Sequence, residues 1–589
     1  MIQSFGTDST KSTGPDGLGR TQRWLTLHPA GLPGRDEDSY RFDIADLDAL
    51  STLASDTIPE AALEVWQAPM ARALLSWAVV HAAVPAAVVA HRHADALCTL
   101  ANAPDGQDIS RQLFGSEVTW IPFAAVGPAL ARALAISSET TAAIVPRLGV
   151  VTWGETLDEI AARVAEFEDA AARRLNLARS ESSPPETESS WDSESTLVAL
   201  RGRLSRGASK VLHLDPSLRA IASRLDAERV VAEARRIEIT HPWSIRTALG
   251  AVTPEADAVD ALMVPGIGQV SAGWDESDAR SRGRVAAHVH RVAAALIDRG
   301  NDGSGVQAQE ETLPSAFDKV LRPGLPTVGR VFIVTGAASG IGRDVARHLS
   351  GLGAHLGLAD VDASGLDLVA EELLGPQGRP VTVAGDLTDE TIVDDLVSKT
   401  IWRFGGVDGA VFNVGIALPG EIRRLTSADW RRSLEVNTTS HFLLARRLLP
   451  ALEAQGCGGS LVFIGSKNMF SPGAGFGAYS ASKAALAQLA RVIAIEAGPF
   501  GVRSNIVNPD NVFEGSALWS PELRAQRAAV YGVQPEDLEA YYTKRNLMKV
   551  PITGMDVAKA VAFLLSEDAS RTTACVLTVD GGVPGVFPR

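Results

Sequence analysis

RVFIVTGAASGIGRDVARHLSGLG, residues 330–353, decides how the second half of this 589-residue chain folds. An apolar run of strand length, VFIVT, leads directly into Thr335-Gly336. Ser339, Gly340, Ile341 and Gly342 then open an amphipathic helix. Glycines here let the backbone turn tightly. They also let a pyrophosphate approach the helix N-terminus, where backbone N–H groups and the dipole favour an anion. The strand before and the helix after are the context that mechanism requires. The next apolar run, HLGLAD (355–360), ends on Asp360. A carboxylate there accepts hydrogen bonds from ribose hydroxyls and repels a 2′-phosphate, and no Arg stands at 337–339 or 361–362 to receive one. The cofactor reading is NAD.

Working outward, apolar runs recur at PVTVAGD, GAVFNVG, SLVFIGS and RSNIVNP, each followed by a helical pattern or a loop. That alternation predicts a doubly wound parallel sheet. A second constellation lies downstream. Tyr479 and Lys483 are spaced i, i+4 in a helical stretch, so they share a face, and Ser466 ends the strand before it. A phenol ordinarily titrates near 10, and a neighbouring ammonium draws it towards neutrality. The phenol can then take a proton from an alcohol as hydride leaves, with Ser466 holding the substrate oxygen.

These residues resemble the short-chain dehydrogenase/reductase family over 328–589. The motifs are Thr335-Gly336-(x)3-Gly340-Ile341-Gly342, Asp386-Leu387, Asn413-Val414-Gly415, Asn437, Ser466/Tyr479/Lys483, Asn508-Pro509 and Val579-Asp580-Gly581-Gly582. The resemblance implies a Rossmann-type sheet, Asn437 holding a water in the proton relay, and Lys483 also binding the nicotinamide ribose. It further implies Asp386 and Leu387 beside the adenine, with Asn413 and Gly415 supporting the cofactor. Two positions depart from the family pattern. Val414 replaces Ala, and Asp510 replaces the Gly after Pro509, which puts a carboxylate near the nicotinamide pocket.

In the front half, VVAHRHADALCTLANAPDG (88–106) sets His91 and His93 at i, i+2 on an apolar strand, a spacing that lets both imidazoles face one metal ion. This stretch, with 118–134 and 142–171, resembles the class II aldolase/adducin family. From about 45 to 589 the chain resembles the fused aldolase/short-chain dehydrogenase proteins of the rhamnulose-1-phosphate aldolase/alcohol dehydrogenase type. The fold class expected is therefore α/β, with a class II aldolase/adducin-like α/β domain followed by the Rossmann-type domain. The resemblance implies a divalent metal, zinc, but the third histidine's position holds Leu148. No carboxylate lies between Gln67 and His91, and residues 1–60 hold no Gly-Gly-Asn loop. Two imidazoles without further ligands hold a Lewis acid poorly, so this domain is expected to be degenerate. His81 reads as a buried helix residue. His288 and His290 read as structural, because i, i+2 positions diverge on a helix.

The expected divisions are a disordered tail at 1–38, the aldolase-like domain at 39–178, and a Ser/Glu-rich linker at 179–197. An intermediate α/β region at 198–300, a linker at 301–327 and the dehydrogenase domain at 328–589 complete them. Hydrophobic residues make up 46% and charged residues 21%, as in globular protein, and the net charge of -15 disfavours nucleic acid. No apolar run is long enough to span a bilayer, no signal-peptide pattern opens the chain, and three scattered cysteines make no disulfide framework. The default is a cytoplasmic enzyme with a small-molecule substrate. By resemblance it assembles as a homodimer or homotetramer.

The leading expectation is an NAD-dependent oxidoreductase acting on a secondary alcohol or hydroxy-carbonyl compound, with Tyr479 as general acid/base. The alternative is a bifunctional enzyme whose front half cleaves a sugar phosphate to an aldehyde that the back half oxidises. A third reading, a non-enzymatic binding module, has no use for an intact Ser466/Tyr479/Lys483 set. Residues 510–550, with Trp519, Tyr531, Tyr541 and Tyr542, are expected to cover the pocket, since loops after late strands overhang the crevice.

Overall fold

A computed structural model describes residues 5–15, 21–30, 40–43, 69–124, 126–135, 140–177, 193–205, 210–224, 227, 229–230, 247–249, 261–264, 268–299, 326–375 and 377–584. The expected linkers at 179–197 and 301–327 lie outside these residues except for 193–197 and 326–327. The chain divides into two compact units. The first comprises Met1–Ser189, Leu214–Ala272 and Asp278–Arg322, and the second Ser190–His213, Gly273–Ser277 and Pro323–Arg589.

The second unit is the expected doubly wound sheet. Its strands run in the order Val381–Ala384, His355–Asp360, Val331–Thr335, Gly409–Phe412, Gly459–Ile464, Val502–Pro509 and Val576–Val579. Every neighbouring pair is parallel. Numbered along the unit, the order is third, second, first, fourth, fifth, sixth, seventh, so the strand order reverses beside Val331–Thr335. Ligands bind such sheets at that switch point, outside the carboxyl ends of the strands. All five residues of Val331–Thr335 are buried, as expected of a parallel strand covered on both faces by helices.

A helix from outside the predicted 328–589 span belongs to this unit. Ser193–Leu204 packs on the helices Ser440–Gln455 and Glu390–Phe404. Its Arg201, fully buried, donates from Nη2 to Asp408 Oδ2 at 2.6 Å and from Nη1 to Asp408 Oδ1 at 3.2 Å. The guanidinium also reaches Gln455 Oε1 and the carbonyls of Lys210 and Gly329. Asp408 in turn accepts from the backbone N–H of Val331, at the start of the first strand. The pair thus fixes the helix to the edge from which the central strands depart.

The first unit carries a mixed sheet, counted as seven strands among the described residues: Tyr40–Asp43, Thr21–Ala30, Phe5–Pro15, Val88–His93, Gly149–Gly154, Ala142–Val145 and Val118–Trp120. Its pairs are antiparallel except the last, Val118–Trp120 with Ala142–Val145. This corrects the expectation of a disordered tail at 1–38. Phe5–Pro15 and Thr21–Ala30 form a hairpin laid along Val88–His93. Polarity misled the reading because Ser9 is buried and bonds the Val89 carbonyl, while Leu25 supplies apolar packing to the core. A smaller sheet pairs Ala261–Val264 parallel to Thr247–Leu249 and antiparallel to Gly268–Gly273. The Ala/Arg-rich stretch forms the helix Glu276–Asp298, as its pattern indicated.

Removing one partner of a buried ion pair costs about 3–5 kcal/mol. Arg201→Ala should therefore move the urea transition of the second unit to lower denaturant by a comparable amount. The Arg201→Ala/Asp408→Ala double variant should recover part of the loss. A shift no larger than that of an exposed Arg→Ala control would contradict this role.

Candidate active site

The turn at 335–342 is a backbone device. Gly336 and Gly340 have φ of +64° and +51°, a region closed to most side chains. A Cβ on Gly342 would lie 2.0 Å from the Gly336 carbonyl oxygen, so only glycine lets the helix Gly340–Gly351 begin this close to the strand. Ser339 is its N-cap residue, and its side chain makes no cap hydrogen bond. Ile341 packs against the core beneath. Asn413 ties the turn to the fourth strand. Its Nδ2 donates to the carbonyls of Thr335 and Gly336 at 3.0 and 3.1 Å, and its backbone N–H donates to Thr335 Oγ1.

Asp360 ends the second strand, with Oδ2 accepting from Ala338 N–H at 2.9 Å and Oδ1 from Asp362 N–H at 3.0 Å. The carboxylate is therefore held against the glycine turn, where a ribose would lie. Leu387 is buried in the core. Asp386 has more internal partners than the sequence showed, since it caps Thr388 and pairs with Arg432 at 2.8 Å. A turn with glycine at its tightest points, a helix N-terminus and a carboxylate on the second strand fit a dinucleotide.

Tyr479, Lys483 and Ser466, the groups expected to react, lie at the same end of the sheet. Tyr479 and Lys483 share the helix Gly477–Ala497, and Ser466 follows the strand Gly459–Ile464. Burial raises the Tyr479 phenol, while the neighbouring Ser466 hydroxyl opposes that rise. Burial lowers the Lys483 ammonium to about 8. Its Nζ donates to the Ile464 carbonyl at 2.9 Å and stands 6.0 Å from the centre of the Tyr479 ring.

Asn437 occupies a π-helical turn, Glu435–Thr439, a bulge that often marks a functional position. Its Oδ1 accepts from Ile416 N–H at 2.7 Å. Its Nδ2 donates to the Ile416 carbonyl and to Ser482 Oγ. A Cβ on Gly415 would lie 3.2 Å from Asn437 Oδ1 and 3.5 Å from Lys483 Nζ, so Gly415 passes between the two.

Trp519 and Tyr542 join Phe476, Tyr479 and Phe513 in one buried cluster, and Tyr531 packs against it. Asp510 is met by Lys467, at 2.6 Å, so the departure from the family pattern is charge-balanced. Lys467 was not singled out from the sequence. Its signal was its position directly after Ser466, opposite the loop that carries the extra acid.

The front unit brings His91 and His93 together on one strand, with the His91 ring already engaged. His91 Nε2 donates to the Leu148 carbonyl at 2.6 Å, and its ring stacks on Trp77 with centres 3.8 Å apart. A nitrogen that carries a proton to a carbonyl cannot also ligate a metal. The position of the third histidine that the resemblance implies is occupied here by Leu148, which offers only that carbonyl, so the expected aldolase ligand set does not fit. The His93 ring stands edge-on to that of His91 with centres 4.4 Å apart, and its Nδ1 lies 3.9 Å from Cys98 Sγ. His288, expected to be structural, lies beside them; its ring centre is 6.0 Å from that of His93. His81 is fully buried, hydrogen-bonds Ser9, and is lowered by burial to about 3.

The family profile described as Enoyl-(Acyl carrier protein) reductase matches residues 336–584, and that of the Class II Aldolase and Adducin N-terminal domain matches residues 49–175. The uncharacterized oxidoreductase YuxG of Bacillus subtilis (strain 168) is 30% identical over 573 residues, covering 87% of this chain and 83% of its own. The chain belongs to the proteins that fuse a class II aldolase domain to a short-chain dehydrogenase/reductase domain.

The dehydrogenase domain alone is 36% identical over 258 residues to cis-4-hydroxycyclohexanecarboxylate dehydrogenase of Sinomonas cyclohexanicum, covering 44% of this chain and 97% of that one. It is 31% identical over 269 residues to levodione reductase of Leifsonia aquatica, covering 44% and 95%. A levodione reductase crystal structure superposes with a TM-score of 0.40 at 30% identity, over 43% of this chain and 96% of that one. Among the described residues no helix is long and apolar enough to cross a membrane.

Proposed function

We propose that this fused protein is an NAD-dependent oxidoreductase that moves hydride between nicotinamide and a secondary alcohol, its ketone or a hydroxy-aldehyde, sugar derivatives included. The observation that carries the proposal is Lys483 Nζ standing 6.0 Å from the centre of the buried Tyr479 ring, at the sheet end that also bears Ser466, the glycine turn and Asp360.

Bound NAD supplies the hydride acceptor for oxidation and, reduced, the donor for the reverse reaction. Thr335, Gly336, Ser339, Gly340, Ile341 and Gly342 form the pyrophosphate cradle, and Asp360 selects the unphosphorylated ribose. Ser466 Oγ holds the substrate oxygen. Tyr479 Oη takes the hydroxyl proton in oxidation and returns it in reduction. Lys483 Nζ stabilises the phenolate through its positive charge and donates to ribose, while Asn437 positions the far end of the proton path at the Ile416 carbonyl. The aromatic cluster of Phe476, Phe513, Trp519 and Tyr542 shields the reacting oxygen from water. Relatives named for a cyclohexane alcohol and for levodione support a carbonyl or alcohol on a compact, partly apolar substrate. The family resemblance extends the proposal to a cytoplasmic homodimer or homotetramer.

The second reading, a front half that cleaves a sugar phosphate, has the aldolase-domain match at 49–175 in its favour. It requires a Lewis acid, and the Leu148 position and the engaged His91 nitrogen count against one at the family's site.

A positioned general acid/base contributes about 10²–10⁴-fold. Tyr479→Phe should lower kcat in a screened alcohol/ketone couple by that factor and leave NADH affinity within about threefold. Equal turnover by the variant would overturn the assignment of Tyr479.

Lys483 gives a pH signature. Its ammonium is held at about 8 in the free enzyme and is expected to donate to ribose, so the complex binds the proton more tightly. NADH affinity should therefore fall as pH rises through about 8, and Lys483→Met should abolish that slope. Fluorescence titrations of NADH on either side of this value read both outcomes.

A further inference from the structure

Three buried side chains of the front unit come together from segments far apart in sequence: His93 at the end of the strand Val88–His93, Cys98 on the helix Asp95–Asn102, and His288 on the helix Glu276–Asp298. Their exposures are 0%, 2% and 2%. One potential ligand atom from each lies within 4.8 Å of the other two, and Cys98 Sγ is 3.9 Å from His93 Nδ1. Around a tetrahedral zinc with Zn–N near 2.0–2.1 Å and Zn–S near 2.3 Å, neighbouring ligand atoms sit about 3.3–3.6 Å apart. The cluster needs only a small contraction to reach that spacing.

Two carboxylates, Asp95 and Glu168, orient the ligands. His288 Nδ1 bonds Asp95 Oδ1, the carboxylate–histidine arrangement that fixes a ligating ring and leaves Nε2 for the metal. Arg291 holds the other oxygen of Asp95. Cys98 is placed by a helix whose Ala96 and Leu97 N–H groups donate to the Glu168 carboxylate at 2.7 and 2.9 Å. A thiolate with two imidazoles is a soft donor set that selects zinc over magnesium or calcium.

We propose that His93, Cys98 and His288 bind one zinc ion, with Asp95 as the positioning residue for His288. The site shares only His93 with the histidine pair expected from the aldolase resemblance. Binding replaces the thiol proton of Cys98, which leaves to solvent, and three protein ligands leave one position for a water. With all three side chains buried, the ion serves as a clamp between the strand Val88–His93 and the helix Glu276–Asp298. It is not reached by a sugar phosphate.

Elemental analysis of the dialysed full-length protein should find about one zinc per chain. Cys98→Ser and His288→Gln should each weaken zinc binding by at least about tenfold, while His91→Gln retains the ion. The chelator-stripped wild type reloaded with cobalt(II) should show the near-ultraviolet thiolate-to-cobalt charge-transfer absorption, and this readout decides the matter even where a variant fails to fold. Wild type without metal, bound cobalt lacking the thiolate absorption, or zinc lost with His91→Gln but kept by Cys98→Ser would each overturn the proposal.

Discussion

The second unit is organised by the junction of Thr335, Gly336 and Asn413. Three hydrogen bonds from one asparagine, two from its side chain and one from its backbone, tie the end of the first strand to the end of the fourth. They do so where the strand order reverses. The glycine turn can then fold back so closely that Gly342 has no room for a Cβ. The features proposed to hold a dinucleotide follow from that closeness: the helix N-terminus at Gly340, the carboxylate of Asp360 reaching the Ala338 N–H, and the path of residues 414–416 past Asn437 and Lys483.

The reacting set depends on the same junction at one remove. Residues Val414 to Ile416 continue directly from Asn413, and Ile416 is the backbone partner of Asn437 on both its N–H and its carbonyl. Asn437 in turn donates to Ser482, the residue before Lys483. A chain of hydrogen bonds thus runs from the glycine turn to the helix Gly477–Ala497, so the phenol and the ammonium are placed by the same contacts that shape the turn. Arg201 and Asp408 act at the opposite end of the first strand, where the buried ion pair joins a distant helix to the origin of the sheet.

The dehydrogenase half was largely legible in the sequence because each motif there is local. A strand, a turn and a helix follow one another within 330–353, and Tyr479, Lys483 and Ser466 lie close in the chain. The illegible parts were the ones that depend on long-range partners. Arg201 reads as one more charge in an Arg-rich helix until Asp408 is brought to it. Ser- and Thr-rich 5–15 reads as a tail until its backbone pairs with 88–93. His288 reads as structural because His290 diverges from it on the helix; that divergence says nothing of His93 and Cys98, which arrive from elsewhere. In the front half, the loss of the third histidine at Leu148 was legible, and its consequence, the diversion of His91 to the Leu148 carbonyl, needed coordinates.

The measurement that bears most directly on the account is a paired fluorescence titration of the wild-type full chain with NADH and with NADPH at one ionic strength. Saturable binding of NADH is expected, with NADPH at least about tenfold weaker, because the Asp360 carboxylate repels a 2′-phosphate. Absence of NADH binding, or tighter binding of NADPH, would contradict it.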